Sequence, residues 1–106
     1  MSNQQTAGPA PVAPTVDQEK SLTRWRALAL DQMPYMASML FALRCSNLPG
    51  LGTFAVDRRM RLYVDFDAIA ADPDTWTDIL CSQALLHECC HLFNDHAGRA
   101  HDAGVT

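Results

Sequence analysis

Hydrophobic residues recur at helical spacing near the start of the chain. The recurring positions are Leu22, Trp25, Ala29 and Met33. Steps of three and four residues mark one buried stripe, so the pattern predicts a helix over residues 17–32. Pro34 interrupts a continuous helix, and Asp31 is suited to cap a second one over residues 34–44. A loop rich in proline and glycine, residues 47–52, is predicted to follow.

A strict alternation of apolar and polar residues comes after this loop. Met60, Leu62, Val64 and Phe66 alternate with Arg61, Tyr63 and Asp65. A period of two is typical of a half-buried strand, so residues 53–56 and 60–66 are predicted to form a hairpin around a turn at 57–59. Because an isolated hairpin is marginal, we expect it to lie against the helices. Its polar face is open to two interpretations, a site for an extended peptide and an ordinary solvated face.

A long helix is predicted over residues 73–97, with Asp72 as its N-cap and Gly98 as its stop. Because each residue turns the helix by about 100°, the apolar residues gather on one flank. These residues are Ile79, Leu85, Leu86, Cys89, Cys90, Leu92 and Phe93. His87 and His91 fall on the opposite flank, which is predicted to face a cleft. The elements together predict an α+β fold with two N-terminal helices, a β-hairpin and one long helix.

The composition is that of one small globular domain, since 48% of the 106 residues are hydrophobic. Residues 1–16 hold three prolines and no charged side chain, which predicts a disordered lead-in before a domain at residues 17–106. A net charge of −4 without a basic cluster argues against a nucleic-acid partner. No apolar run approaches the ~20 residues that cross a bilayer, and no secretory signal is visible. We therefore expect a cytoplasmic protein with no nucleic-acid or membrane partner.

The candidate chemistry lies within the long helix, where His87, Glu88 and His91 form the pattern HExxH. Residues four apart lie on one helical face, so both imidazoles can reach one zinc ion at about 2.0–2.1 Å. Zinc lowers the pKa of a bound water to about 7, and a neighbouring carboxylate can take its proton. The pattern predicts a hydrolytic Zn²⁺ site with His87 and His91 as metal ligands and Glu88 as the catalytic base.

The third protein ligand of a catalytic zinc is left open by the sequence. His96 is the predicted third metal ligand within the motif, but it reaches the ion only if the helix unwinds just after His91. Asp95 continues the histidine row, yet it lies about 12 Å of helical rise beyond His87. His101, which follows the predicted helix stop, can reach the ion by folding back. A ligand outside this chain is the fourth possibility.

The four cysteines have no CxxC spacing and are interpreted as small buried apolar residues, with metal or redox roles as the alternative. They are Cys45, Cys81, Cys89 and Cys90.

Five segments between residues 30 and 99 share the motifs of a known family. They are residues 33–37 (MPYMA), 49–53 (PGLGT), 56–57 (VD), 62–65 (LYVD) and 86–99 (LHECCHLFNDHAGR). In these segments the chain resembles the bacterial metallopeptidase domain that normally precedes a von Willebrand factor A-like domain. The resemblance implies a zincin-like fold, zinc ligands at His87 and His91, and a catalytic base at Glu88. The Asp95-His96 pair also recurs in the family's motif.

Two features depart from this family. Its members have aliphatic residues where this chain has Cys89 and Cys90. Members also continue into another helix and the A-like domain, whereas this chain stops at Thr106, so the domain is expected to be incomplete at its C-terminus. The resemblance also implies an association with MoxR-type ATPases. We therefore expect a zinc-dependent metallopeptidase, a hydrolase of peptide or protein substrates. The alternative is a catalytically inactive metal-binding or protein-interaction module.

Overall fold

A three-stranded sheet and the helices packed against it form the core of the computed structural model, which describes the backbone of residues 10–102 and the side chains of residues 10–94. The elements in chain order are α1 (Val16–Gln32), a 3-10 turn (Pro34–Met36), α2 (Ala37–Ala42), β1 (Arg44–Asn47), β2 (Phe54–Val56), β3 (Arg61–Val64), α3 (Phe66–Ala71) and α4 (Asp78–Asp102). The predicted α+β class is confirmed.

Helix α1 begins one residue before its predicted start because Thr15 caps it. The Thr15 hydroxyl accepts a hydrogen bond from the Gln18 N–H at 3.2 Å, and the Gln18 side chain accepts one from the Thr15 N–H at 3.0 Å. This reciprocal capping box satisfies N–H groups that the helix itself leaves unpaired. The predicted apolar stripe faces the core, where Leu22, Trp25 and Ala29 are buried.

Part of the expected disordered lead-in is paired with the domain. The backbone of Val12 exchanges two hydrogen bonds of 2.8 and 2.9 Å with the backbone of Asn47 at the end of β1. This contact draws residues 10–15 onto the sheet ahead of α1. Residues 1–9 lie outside the described part of the chain.

Strand β3 lies in the middle of the sheet, in the order β1-β3-β2. β2 runs antiparallel to β3 with Ala55 opposite Tyr63, which confirms the predicted hairpin with shorter strands. β1 runs parallel to β3 with Cys45 opposite Leu62, and we did not predict this strand. Its sequence, RCSN, lacks the alternation and the β-branched residues that mark strands. Pairing with the buried β3 therefore decides its conformation.

Two of the predicted helices have different bounds, and one helix was not predicted. The second helix starts as a 3-10 turn and ends at Ala42, two residues early. Helix α3 occupies the segment after β3, where we assigned Phe66 to the strand. Helix α4 continues through the predicted stop at Gly98 to Asp102. One glycine in a helix interior costs only about 1 kcal/mol relative to alanine, which is too little to end a helix by itself.

Helix α4 also begins five residues later than the prediction from Asp72 and the following proline. The Asp72 carboxylate accepts a hydrogen bond from the Thr75 N–H at 3.4 Å and its carbonyl accepts one from the Trp76 N–H at 2.9 Å, but both close a turn that ends before α4 begins. The Thr77 hydroxyl instead accepts a hydrogen bond from the Leu80 N–H at 3.2 Å. Thr77 is therefore the N-cap of α4.

Trp25 joins α1 to the sheet and to the first turn of α4. Its ring stacks on Phe66 at a centroid distance of 5.7 Å and meets the edge of Phe54 at 5.6 Å. Its indole N–H donates to an Asp78 carboxylate oxygen at 3.0 Å. A buried tryptophan that also satisfies its polar atom is a strong link between elements. In the described part of the chain, no helix has the length and apolar character needed to cross a bilayer.

Asp65, which is only 4% exposed, fixes the loop between β1 and β2. One carboxylate oxygen accepts from the Gly50 and Gly52 N–H groups, each at 2.9 Å, and the other accepts from the Ala68 N–H at 3.1 Å. Both glycines have positive φ, which lets their N–H groups converge. Burial raises the pKa of Asp65, but the backbone N–H groups of Gly52, Ala68, Gly50 and Asp67 lower it by more, so its net pKa lies below the usual value.

Replacing Asp65 with Asn is expected to lower the free energy of unfolding by about 1–3 kcal/mol at pH 7, because an amide nitrogen then faces backbone donors. The stabilisation by Asp65 is present above the pKa of an unfolded aspartate and is lost as the pH falls through the lower, folded pKa. The deficit of Asp65→Asn should therefore shrink below about pH 4. Urea unfolding at pH 7 and pH 3 measures both effects. The control is Asp67→Asn, an exposed neighbour, and an equal loss in both variants would contradict the role given to Asp65.

Candidate metal centre

The rotation of α4 about its axis is set by its buried flank. The buried residues are Cys81, Ser82, Leu85, Leu86, Cys89 and Leu92. They recur at spacings of three and four residues, as in 81/85/89 and 82/86/89/92, so they form one continuous face against α1 and the sheet. His87 and His91 therefore lie on the outer face, where both are exposed, as the sequence predicted.

The two imidazoles converge. The Nε2 atoms of His87 and His91 are 2.9 Å apart, with ring centroids 4.4 Å apart and ring planes at 84°. Between neutral rings this contact is a hydrogen bond in which one Nε2 donates and the other accepts. A tetrahedral zinc with bonds of about 2.0–2.1 Å holds two ligand nitrogens about 3.3 Å apart. An increase of a few tenths of an ångström in the distance between the two Nε2 atoms therefore gives the spacing that such an ion requires.

Glu88 is half-buried beside this pair. It precedes His91 by three residues, so the two side chains are neighbours on the helix surface. Among the residues with described side chains, none forms a hydrogen bond or ion pair with the Glu88 carboxylate. The carboxylate is thus available to a water molecule held near the imidazoles.

The end of strand β2 lies next to His91. A cavity of about 290 Å³ is lined there by Val56, Asp57, Arg58, His91 and Leu92. β2 is the edge strand of the sheet, and it packs against α4. The sequence predicted the hairpin but did not place its turn beside the HExxH histidines, because no local pattern reports a contact between residues about 35 positions apart.

Asp57 is committed to the hairpin turn. Its carboxylate accepts from the Tyr63 hydroxyl and the Arg59 N–H, each at 2.8 Å, and from the Arg61 N–H at 3.1 Å. Desolvation raises the pKa of Asp57, but these hydrogen bonds and the Arg61 charge lower it below its usual value in sum. The hydrogen bond to Asp57 also raises the pKa of Tyr63. Asp57 therefore shapes the wall of the cavity beside His91.

The third ligand stays a prediction. Among the residues with described side chains, no group of three His, Cys, Asp or Glu residues is placed to hold a metal ion. The side chains of Asp95, His96 and His101 lie outside the described residues. The helical backbone does continue to Asp102, so α4 does not unwind after His91. Positions 91 and 96 of such a helix are about 140° apart around its axis.

Three of the cysteines are poor nucleophiles. Burial raises the pKa of Cys45, Cys81 and Cys89 to about 11 each, which keeps them as neutral thiols near pH 7. All four cysteines are free thiols. Cys89 occupies a core position on α4, which agrees with its interpretation as a small buried residue.

Two residues assigned to the apolar flank of α4 are exposed instead. Ile79 is 50% exposed and Phe93 is 56% exposed. Both lie at the ends of the segment of α4 that packs on the core. There, fewer residues are buried than the sequence pattern predicted. Phe93 borders a groove on the outer surface, together with Cys90.

Comparison with known proteins does not assign the chain to a family. No family model, curated protein or solved structure matches the chain. The likeness to the metallopeptidase domain of bacteria therefore stays a prediction. The functional assignment rests on the placement of His87, Glu88 and His91.

Proposed function

We propose that this chain is a zinc-dependent metallopeptidase, a hydrolase of peptide bonds with a zincin-like arrangement. The observation that carries the proposal is the 2.9 Å approach of the His87 and His91 Nε2 atoms on the exposed face of α4. Glu88 lies beside them with no partner among the described side chains. Two convergent imidazoles and an available carboxylate are the parts that this hydrolysis needs.

The donor set fits zinc. The Nε2 atoms of both histidines lie close together, 2.9 Å apart, and imidazole nitrogen is a good zinc ligand. Because the helix continues past His91, the predicted third ligand His96 is disfavoured, and Asp95, His101 or a group outside this chain are the proposed candidates for that position. When bound, zinc polarises the scissile carbonyl and lowers the pKa of the attacking water to about 7.

Glu88 is the proposed general base. Its carboxylate takes a proton from the attacking water and afterwards delivers that proton to the leaving amine. His87 and His91 fix the position of the reaction above α4, while the buried flank of this helix keeps the three side chains in register.

The outer edge of β2 gives an extended substrate a place to bind. Asp57 and Asp65 both donate backbone N–H groups across the hairpin, to Arg61 and Thr53 at 3.0 and 3.1 Å. Because hydrogen-bonding direction alternates along an antiparallel strand, the N–H and C=O groups of residues 54 and 56 point to the opposite edge. A peptide added there would run past His91.

The second candidate is a catalytically inactive metal-binding or protein-interaction module. The absence of a third ligand among the described side chains favours it. Cleavage of a peptide library, with and without a chelator, separates the two candidates. Chelator-sensitive cleavage supports the peptidase, and the absence of cleavage by zinc-loaded protein supports the module.

Zinc binding is expected at one ion per chain, and His87→Ala should weaken it by at least about 100-fold, since a direct ligand is lost. Competition with a chromophoric chelator measures the affinity, and elemental analysis measures the stoichiometry. The matched control is Gln83→Ala, one helical turn before His87 and also exposed. Equal zinc affinity in wild type and His87→Ala would refute the metal site.

Glu88→Gln is expected to retain zinc and to lose peptide cleavage by about 10²–10⁴-fold, because the amide keeps the shape of the side chain but cannot take a proton. Cleavage rates on a peptide library and the zinc content of the same samples provide the two readouts. Glu19→Gln, an exposed carboxylate on α1, is the control. Unchanged cleavage by Glu88→Gln would remove Glu88 from the mechanism.

A further inference from the structure

A groove of about 600 Å³ lies on the outer surface beside α4. Its walls come from the 3-10 turn, α2, the turn before β3 and α4. The walls include Met33, Met36, Met39, Met60, Cys90 and Phe93. This volume is within the usual range of ligand pockets, which is about 300–1,000 Å³.

Among the described residues, the side chains that line this methionine groove carry no charge. Its polar side chains are those of Tyr35, Ser38 and Asn94, which stand among four methionines. Methionine is unbranched and polarisable, so it adapts to apolar groups of different shapes. Tyr35 is 77% exposed and Phe93 is 56% exposed, so two aromatic side chains border the groove. Such a surface favours an uncharged, apolar occupant.

The groove borders the face of α4 that carries the imidazole pair. Cys90 follows His87 by three residues, and Asn94 follows His91 by three residues. Residues at this spacing are neighbours on a helix, with Cβ atoms about 5–6 Å apart. A group held at the histidines therefore has the groove directly beside it.

Met60 occupies this wall at a cost to the backbone. Its φ is +64°, in the left-handed region that glycine or asparagine normally fills. A bulky residue held there stores about 1–3 kcal/mol of strain. Glycine would adopt this turn conformation without strain, so the conformation of the turn does not explain why methionine occupies position 60. Its side chain lines the groove and packs against the core.

We propose that the methionine groove binds a bulky, uncharged apolar side chain of the peptide substrate, such as that of leucine, methionine or phenylalanine, next to the cleaved bond. The proposal rests on the proposed function, because only a peptide held at His87 and His91 places a side chain there. Of the chain's own segments outside the described part, residues 103–106 (AGVT) contain no leucine, methionine or aromatic residue, and residues 1–9 (MSNQQTAGP) contain one such residue, Met1.

Binding is tested first without turnover. Full-length Glu88→Gln protein, supplied with zinc and labelled with ¹³C at its methionine methyl groups, is titrated with blocked pentapeptides that carry leucine, aspartate or glycine between alanines. The methyl signals are assigned by single Met→Leu substitutions. The leucine peptide is expected to shift the Met39 and Met60 signals saturably, and the aspartate and glycine peptides are not.

Two outcomes of this titration overturn the proposal. One is equal shifts with all three peptides. The other is a shift of the same signals with protein concentration alone, which would assign the groove to a second copy of the chain.

Cleavage then tests specificity. The zinc-loaded wild type is expected to cleave next to leucine at least about 10-fold faster than next to aspartate. Phe93→Asp should lose this preference, because its carboxylate lies at the groove. Ile79→Asp is the matched control, since Ile79 is on the same helix, is similarly exposed and does not line the groove. This variant should keep the preference.

The two proposals fail in different ways. Saturable binding of the leucine peptide without cleavage retains the groove and removes the peptidase. Cleavage without any preference, together with absent methyl shifts, retains the peptidase and removes the groove. Met60→Gly adds a variant that relieves the backbone strain, so weaker leucine-peptide binding in a folded Met60→Gly protein supports the groove. Undiminished binding by this variant contradicts the role of Met60.

Discussion

Burial of one flank of α4 is the interaction on which the candidate site depends. Leu85 and Cys89 are fully buried and Leu92 nearly so. Burying a leucine side chain contributes about 1.5–3 kcal/mol, whereas a neutral hydrogen bond between two exposed rings contributes about 1 kcal/mol. Packing against the core therefore sets the rotation of the helix, and this rotation places the imidazoles on the outer face. A rotation by one residue, about 100°, would bring a histidine toward the interior and expose leucine. The chemistry of the outer face is thus positioned by the packing of the inner one.

Two carboxylates hold the edge strand that lies beside this helix. β2 has only three residues, too few to fix its own position by strand pairing. Asp65 anchors the glycine loop before it, and Asp57 anchors the turn after it, in both cases through backbone N–H groups. The net charge of the chain does not predict which carboxylates form such hydrogen bonds with the backbone. These carboxylates are structural, whereas the carboxylate of Glu88 forms no hydrogen bond or ion pair with the described side chains.

The sequence predicted the face of the helix that carries the histidines, because helical periodicity is a local property. It also predicted the α1 stripe and the hairpin, for the same reason. It did not predict β1, since RCSN becomes a strand only by pairing with β3. It predicted Asp72 as the cap of α4, whereas Thr77 is the cap, because both are acceptable N-cap residues and only tertiary contacts separate them. The groove beside Cys90 was equally hidden, as it joins side chains from four separate segments.

The contact between the two histidines has a consequence for proton placement. A neutral pair joined through both Nε2 atoms contains one ring with its hydrogen on Nε2 and one with its hydrogen on Nδ1. Two Nε2 lone pairs can point at a common centre only when both rings carry their hydrogen on Nδ1. Zinc binding by both Nε2 atoms, as proposed, would therefore require a tautomer change in a single ring, with no net change in the charge of the two rings. The hydrogen bond that holds the two rings close together would have to break before both Nε2 atoms could bind one ion.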